Sequence, residues 1–233
     1  MSFVLSLILL AIFAGCIGFL FPEGMWGNAV RLVNVILAAL VATNFFEPLA
    51  GKLDTWQPSY SYCWDFLALW GLFGVTVVVL RTVTDRISRV KVRFLKIIDQ
   101  IGSAFFAALI GWVLVGFTLI TLHTAPLGKT YFFGAFQSKE AMFFGMAAPD
   151  REWLGFMEHM SRGPLCHSAT AEQSQAEAFV FCPRTTNFIA NYDIRRQAVE
   201  DHVKLTGTIR LGEVEKPVAP AAPPPPAVPP APK

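Results

Sequence analysis

The chain has 233 residues, of which 54% are hydrophobic and only 15% are Asp, Glu, Lys or Arg. Water-soluble domains carry about 25% charged residues, so this composition argues against an ordinary soluble domain and indicates a membrane protein. The formal net charge of +2 says little by itself, because the basic residues are concentrated in one segment. No nucleic-acid partner is expected.

Four apolar stretches are each long enough to cross a hydrocarbon layer of about 30 Å. They predict membrane-spanning helices at residues 2–21, 26–46, 62–80 and 101–122. The first stretch has neither a preceding basic residue nor a small-residue cleavage site, so we expect a retained span rather than a signal peptide. Residues 1–125 are therefore predicted to form an all-α, four-span membrane domain.

The connection between the second and third spans, residues 47–65, is expected to be a short polar loop without excess positive charge. Its aromatic residues are typical of a membrane boundary; they are Trp56, Tyr60, Tyr62 and Trp64. In the fourth span, the spacing of small residues predicts a face that another helix approaches closely. These residues are Ala104, Ala107, Ala108 and Gly111.

Residues 81–99, between the third and fourth spans, carry a charge excess that no other short loop has. Two acidic residues accompany six basic ones, which are Arg81, Arg86, Arg89, Lys91, Arg93 and Lys96. Basic residues in a short loop mark the cytoplasmic side of a membrane protein. Apolar residues recur here at helical spacing, which predicts a basic amphipathic connecting helix on an anionic membrane surface. A solvated helical linker, whose charges only orient the protein, is the alternative.

Orientation follows by alternation along the chain. With residues 81–99 in the cytoplasm, the turn near residues 21–26 is also cytoplasmic. The N-terminus and everything after His123 are then outside, and His123 marks the membrane interface.

Residues 126–210 predict a small external helical extension. Pro149 followed by acidic residues indicates a helix start, and Gly163-Pro164 its end. A second helix is predicted over residues 188–204. Because strong apolar positions are few, we expect the extension to pack on the spans or on a partner.

Residues 211–233 predict a disordered tail, because nine of the 16 residues from 217 to 232 are prolines. Two interpretations of this tail are open: a spacer, or a ligand for a proline-binding groove. Cys166 and Cys182 are candidates for a disulfide in an oxidising compartment. Cys16 and Cys63 are interpreted as small apolar residues of the spans.

Common catalytic and cofactor motifs, such as GxSxG, HExxH and GxGxxG, are absent from the sequence. His159, Cys166 and His167 could meet around a metal, but their spacing matches no recognised ligand motif. We therefore expect no enzyme, no cofactor and no metal site. Arg31 and Asn34 are the polar candidates within the spans.

These features resemble the colicin V production family of bacterial inner-membrane proteins, over about residues 1–125. The matching residues are Gly24-Met25-Trp26-Gly27, Arg31, Lys96, Asp99 and Gly102. The resemblance implies four spans and a role in toxin production or secretion, or in envelope homeostasis, without an agreed molecular activity. The remainder is similar to longer members with a C-terminal extension. Some members carry a serine protease domain, but the chain has no GDSG-like motif, so protease activity is not expected.

The expected partners are membrane lipids and either other envelope proteins or a second copy of the chain. The alternative function is a small transporter or channel subunit, in which Arg31 or Asn34 lines a path. A further rival is an anchored enzyme that uses His159 or His167.

The predicted topology can be tested with reporter fusions after Lys91 and after Arg210. A fluorescent protein that folds only in the cytoplasm should be bright after Lys91, and alkaline phosphatase should be active only after Arg210. Two fusions that report the same side would contradict the four-span topology.

Overall fold

The structure, a computed structural model, describes residues 3–57, 60–87, 95–125, 143–144, 147–162, 189, 192–194, 196–198 and 200–201. The elements named within these residues are all helical. They are α1 (Phe3–Leu20), a 3-10 helix (Phe21–Glu23), α2 (Met25–Trp56), α3 (Ser61–Ile87), α4 (Lys96–Thr124) and α5 (Pro149–Arg162). Helices α1 to α4 are long and apolar enough to cross a membrane, which confirms, for the described residues, the prediction of a helical protein with four helices of membrane-spanning length.

Helix α2 is much longer than the predicted span, because it continues through Pro48 to Trp56. Since α3 begins at Ser61, the loop predicted over residues 47–65 is wrong at both of its ends. Phe46 and Ala50 lie one helical turn apart, and both are buried in the core that α2 shares with α3. This packing keeps the backbone helical although Pro48 has no N–H to donate.

Helix α4 lies at the centre of the bundle and contacts α1, α2, α3 and α5. The larger core joins α2, α3 and α4, where the rings of Phe73 and Phe117 stack with their centroids 4.4 Å apart. A second buried cluster holds α1 against α4; its members are Leu5, Leu9, Val115 and Leu119. Helices α1, α2 and α5 thus pack on α4, whereas α3 packs mainly on α2.

The small-residue face predicted on α4 is confirmed at Gly111. A Cβ atom there would lie 3.0 Å from Cδ2 of Phe13 and 3.3 Å from its carbonyl oxygen, so α1 approaches at this point more closely than a larger residue permits. Ala107 is also fully buried.

Helix α5 has the predicted start and end, and it packs on α4. Trp153 and Met157 are buried in the same cluster as Phe117 and Ile120, which confirms that the extension packs on the spans. The described residues between 189 and 201 are also helical, and Tyr192 belongs to the same buried cluster. Cys166, Cys182, His167 and the proline-rich tail lie outside the described residues.

A single connecting helix over residues 81–99 is not confirmed. Arg81 and Arg86 belong to the last turns of α3, and Lys96 opens α4. Leu95, immediately before α4, has φ −57° and ψ 135° and is therefore extended. The helical periodicity of the sequence thus comes, in the described part, from the ends of two different helices. Arg89, Lys91 and Arg93 lie outside the described residues.

Gly116 is the contact point between α4 and α5, and its substitution tests that contact. A Cβ atom at Gly116 would lie 2.9 Å from the carbonyl oxygen of Pro149. Since a backbone atom cannot rotate away, Gly116→Ala should lower the free energy of unfolding by about 1–3 kcal/mol, measured from thermal unfolding in detergent.

Gly74→Ala in α3 is the matched control, because nothing lies within 4 Å of a Cβ atom there. It should leave stability unchanged or raise it by up to about 1 kcal/mol, since alanine favours helix. Equal stability of the two variants would contradict the close contact between α4 and α5.

Candidate functional site

One polar cluster closes the end of the bundle at which α1 turns into α2, here called the turn end. The backbone N–H of Met25 donates a hydrogen bond of 2.9 Å to Oδ1 of Asp99. Gly24, the residue before α2, has φ +86°, a conformation that residues with a side chain rarely adopt. A carboxylate next to the first N–H groups of a helix satisfies unpaired donors and interacts favourably with the helix dipole. Asp99 of α4 therefore caps α2.

Asn28 and Ser103 extend this cluster to the last residues of α1. The Asn28 side-chain amide donates to the carbonyl oxygen of Leu20 and to Oγ of Ser103, each at 2.9 Å. Ser103 Oγ donates in turn to the carbonyl oxygen of Phe21 at 2.7 Å. Both side chains are buried. They satisfy carbonyl groups that the end of α1 leaves without helical partners.

Gly102 allows the same helices to approach. A Cβ atom at Gly102 would overlap the side chain of Met25. The structure therefore brings together Gly24, Met25, Asp99 and Gly102, which are four of the residues on which the sequence resemblance rests.

Arg31 and Asn34, the polar candidates of the second span, both make contacts within the bundle. Arg31 forms a salt bridge of 2.8 Å with Glu23 of the 3-10 helix. The Asn34 amide donates to Oγ1 of Thr84 in α3 at 2.9 Å. The Arg31–Glu23 contact joins α2 to the turn between α1 and α2. The Asn34–Thr84 contact joins α2 to α3.

The described basic residues of the connecting segment are exposed at the turn end. Arg81 contacts Asp85 at 3.6 Å, one helical turn further along α3. Such an exposed pair contributes at most about 1 kcal/mol to stability. Arg86 and Lys96 lie at the adjacent ends of α3 and α4.

A second polar cluster lies at the opposite end of α4, here called the latch. Nε2 of His123 lies 3.2 Å from Oδ2 of Asp150, the second residue of α5. Nδ1 of His123 lies 3.2 Å from a terminal nitrogen of Arg196, whose Nε donates to the carbonyl oxygen of Tyr192. His123, Asp150 and Arg196 are at most 4% exposed. The latch thus joins α4, α5 and the segment around Arg196.

The hydrogen bonds of the latch define one tautomer of His123. Arginine can only donate and an ionised carboxylate can only accept, so Nδ1 must accept from Arg196 while Nε2–H donates to Asp150. Neutral imidazole with its proton on Nε2 satisfies both bonds. The Asp150 and Arg196 charges then balance across the ring. Burial lowers the pKa of Arg196, while Asp193 and Glu200 act in the opposite direction, and guanidinium remains charged.

Sequence reasoning missed the roles of Asn28, Ser103, Asp150 and Arg196. It interpreted His123 as an interface marker and Asp150 as an acidic residue in a first helical turn. The partners of His123 are 27 and 73 residues away in sequence, so no local pattern connects them. The uncharged polar residues Asn28 and Ser103 at the ends of apolar helices were the available signal.

Of His159, Cys166 and His167, the residues considered for a metal site or for catalysis, only His159 belongs to the described part of the chain. His159 is exposed on α5. Cys16 and Cys63 are free thiols. No group of His, Cys, Asp and Glu within the described ranges could hold a metal ion.

Comparison with known proteins gives one match. A family model described as colicin V production protein matches residues 5–149, which include α2, α3 and α4 and nearly all of α1. No curated protein and no solved structure matches the chain.

The latch can be tested with a double-mutant cycle. Asp150→Asn removes the buried carboxylate that accepts the Nε2–H of His123 and should lower the free energy of unfolding by about 1–3 kcal/mol. The double variant Asp150→Asn/Arg196→Gln removes both charges, so its loss should be smaller than the sum of the single losses by at least about 1 kcal/mol. Thermal unfolding of the purified chain measures all three.

Arg81→Gln is the control, because it removes an exposed charge at the other end of the bundle. It should change stability by no more than about 0.5 kcal/mol. Additive losses in the cycle would show that Asp150 and Arg196 do not interact through His123.

Proposed function

The chain belongs to the colicin V production protein family, and on that premise we propose that it is a non-enzymatic protein of the bacterial inner membrane. Its proposed role is in toxin production or secretion, or in envelope homeostasis. The observation that carries the proposal is the family match, which takes in helices α1 to α4. The meeting of Gly24, Asp99 and Gly102 at the turn end supports it, because these residues also carry the motif resemblance.

The proposed orientation places the turn end in the cytoplasm. Arg81, Arg86 and Lys96 lie at this end, and basic residues near short loops favour the cytoplasmic side. The N-terminus, the latch and the C-terminus are then outside the cytoplasm. In that compartment Cys166 and Cys182 are proposed to form a disulfide.

The proposed partners are lipids, and other envelope proteins or a second copy of the chain. Helices α1 and α3 support this, because both expose large apolar side chains. Phe19 is 79% exposed, and Val75 and Val78 are each 64% exposed. Apolar surface of this kind suits lipid chains or another membrane-spanning helix.

The alternative of a small transporter or channel subunit has less support. Its candidate path residues, Arg31 and Asn34, are bonded to Glu23 and Thr84. Transport sites usually place ionisable groups where helices are broken near the middle of the membrane. Arg31 lies instead in the second turn of α2.

The proposed role can be tested by deleting the gene in its native host and complementing the deletion. Loss of the protein should increase sensitivity to detergent and to a metal chelator, or reduce the amount of secreted peptide toxin. Wild-type protein and Asp85→Ala should restore the phenotype. Asp99→Ala should restore it poorly, because it removes the cap of α2, at a cost of about 1–2 kcal/mol.

Immunoblots of the membrane fraction show how much of each variant accumulates. A His159→Ala/His167→Ala double variant should complement fully. If it fails at normal abundance, at least one of the two histidines is required for function, which would favour the anchored-enzyme alternative. A deletion strain that matches wild type in both assays would overturn the proposed role.

A further inference from the structure

The latch holds a titratable imidazole between two groups of opposite charge. Nε2 of His123 lies 3.2 Å from Oδ2 of Asp150, and Nδ1 lies 3.2 Å from a terminal nitrogen of Arg196. The His123 side chain is fully buried. Histidine has an ordinary pKa of about 6.5, so its charge changes between about pH 5 and pH 8. The charge of this ring therefore decides which of its two contacts can exist.

A proton added to Nδ1 of His123 is compatible with the contact to Asp150 but not with the contact to Arg196. Because arginine has no acceptor, a protonated Nδ1 faces another donor, and the hydrogen bond is lost. Two cations then lie at hydrogen-bond distance in a buried site, where like charges repel strongly. The contact between Nε2–H and Asp150 becomes an ion pair at the same time, and such charge-assisted hydrogen bonds are the stronger kind.

The charged groups around the ring divide between two elements. Asp150 belongs to α5, and it acts on His123 together with Asp193 and Arg196 of the last described segment. Glu200 of that segment acts on Arg196. The electrostatic effect of Arg196 on the ring exceeds that of Asp193, so this segment as a whole opposes an added proton. Oδ1 of Asp150 is buried and has no hydrogen-bond partner within the described part of the chain, so α5 offers spare acceptor capacity to a protonated ring.

Arg196 connects the ring to the packing of its own segment. Its Nε donates to the carbonyl oxygen of Tyr192, four residues earlier, and Tyr192 is buried in the core of the spans. A guanidinium that leaves the ring therefore also acts on the residue by which this segment enters the core.

We propose that the latch is a proton-binding site, and that protonation of His123 releases the segment around Arg196 from the bundle while α5 stays attached. The attachment is complete above the ordinary pKa of histidine and weakens as the pH falls below it, because the proton binds the released form in preference. The proposal depends neither on the proposed cellular role nor on the proposed orientation.

Hydrogen–deuterium exchange of the full chain in phosphatidylcholine nanodiscs, followed by mass spectrometry, tests the release. Between about pH 7.5 and about pH 5, peptides that contain Tyr192 and Arg196 should lose protection by up to about thirtyfold, the limit for one proton and a pKa of about 6.5. Exchange rates are first corrected for their intrinsic dependence on pH. Peptides of α5 should change by less than about twofold, since protonation strengthens the contact to Asp150. Peptides of α3 give the baseline.

His123→Gln keeps one neutral donor and one acceptor but cannot take up a proton. Protection of the segment in this variant should therefore differ by less than about twofold between the two pH values. The matched control is His159→Gln/His167→Gln/His202→Gln, in which His123 is the only histidine. It should respond as wild type does, and its result does not depend on whether His123→Gln folds.

Three results would overturn the proposal. The first is a wild-type segment that keeps its protection at the lower pH, and the second is an α5 that loses protection together with the segment. The third is a response that persists in a folded His123→Gln protein or disappears in the control variant, because another group would then be the one that binds the proton.

Discussion

The Asp99 carboxylate supplies from α4 the cap that α2 lacks in its own sequence. The first N–H groups of a helix have no partner within it, and Gly24, which precedes α2, has no side chain to offer. Asp99 is 74 residues away in sequence from Met25, the residue whose N–H it accepts. Since Asn28 and Ser103 join the end of α1 to the same place, three helix ends are fixed at one level. This constraint sets the positions of α1, α2 and α4 relative to one another along the bundle axis.

The two ends of the bundle are held by different chemistry. At the turn end a carboxylate and neutral side chains satisfy helix ends, whereas the latch holds an anion and a cation apart across a neutral imidazole. The latch is the costlier arrangement, because its charges are buried. It also attaches α5 to α4, so that Trp153 and Met157 complete the core of the spans. Helix α5, the longest described part of the extension, therefore shares a core with the spans.

The features that could be predicted from sequence are those with a local cause. Apolar length predicts the four spans, and Pro149 followed by Asp150 and Glu152 predicts the start of α5. The end of α2 could not be predicted, because Pro48 is a local signal to stop, and the burial of Phe46 and Ala50 by α3 outweighs it. Likewise, helical periodicity near Val83 and Ile97 was interpreted as one helix, although Leu95 separates it. Helical periodicity shows which residues share one face, but it does not show that the backbone forms one continuous helix.

The contacts of the candidate site could be predicted from the sequence even less completely than the helices. Gly24 and Asp99 could be singled out as motif residues, but their contact depends on the parallel arrangement of α2 and α4, which both begin at the turn end. Glu152 was recognised only as an acidic residue of a first helical turn. Its position beside Trp112 follows from the approach of Pro149 to Gly116, which is a property of the packed helices. The spacing of residues within α5 does not indicate which part of α4 Glu152 lies beside.

The central place of α4 has a consequence for the biogenesis of the protein. Helices α1, α2 and α3 are synthesised first, yet the cap of α2, the packing surface of α1 and the support of α5 all belong to α4. A chain that has emerged only as far as residue 95 thus enters the bilayer with an uncapped helix and an unpaired first span. The membrane domain acquires its final packing only when its last span is inserted, because α4 supplies the contacts of α1 and α5 and the cap of α2.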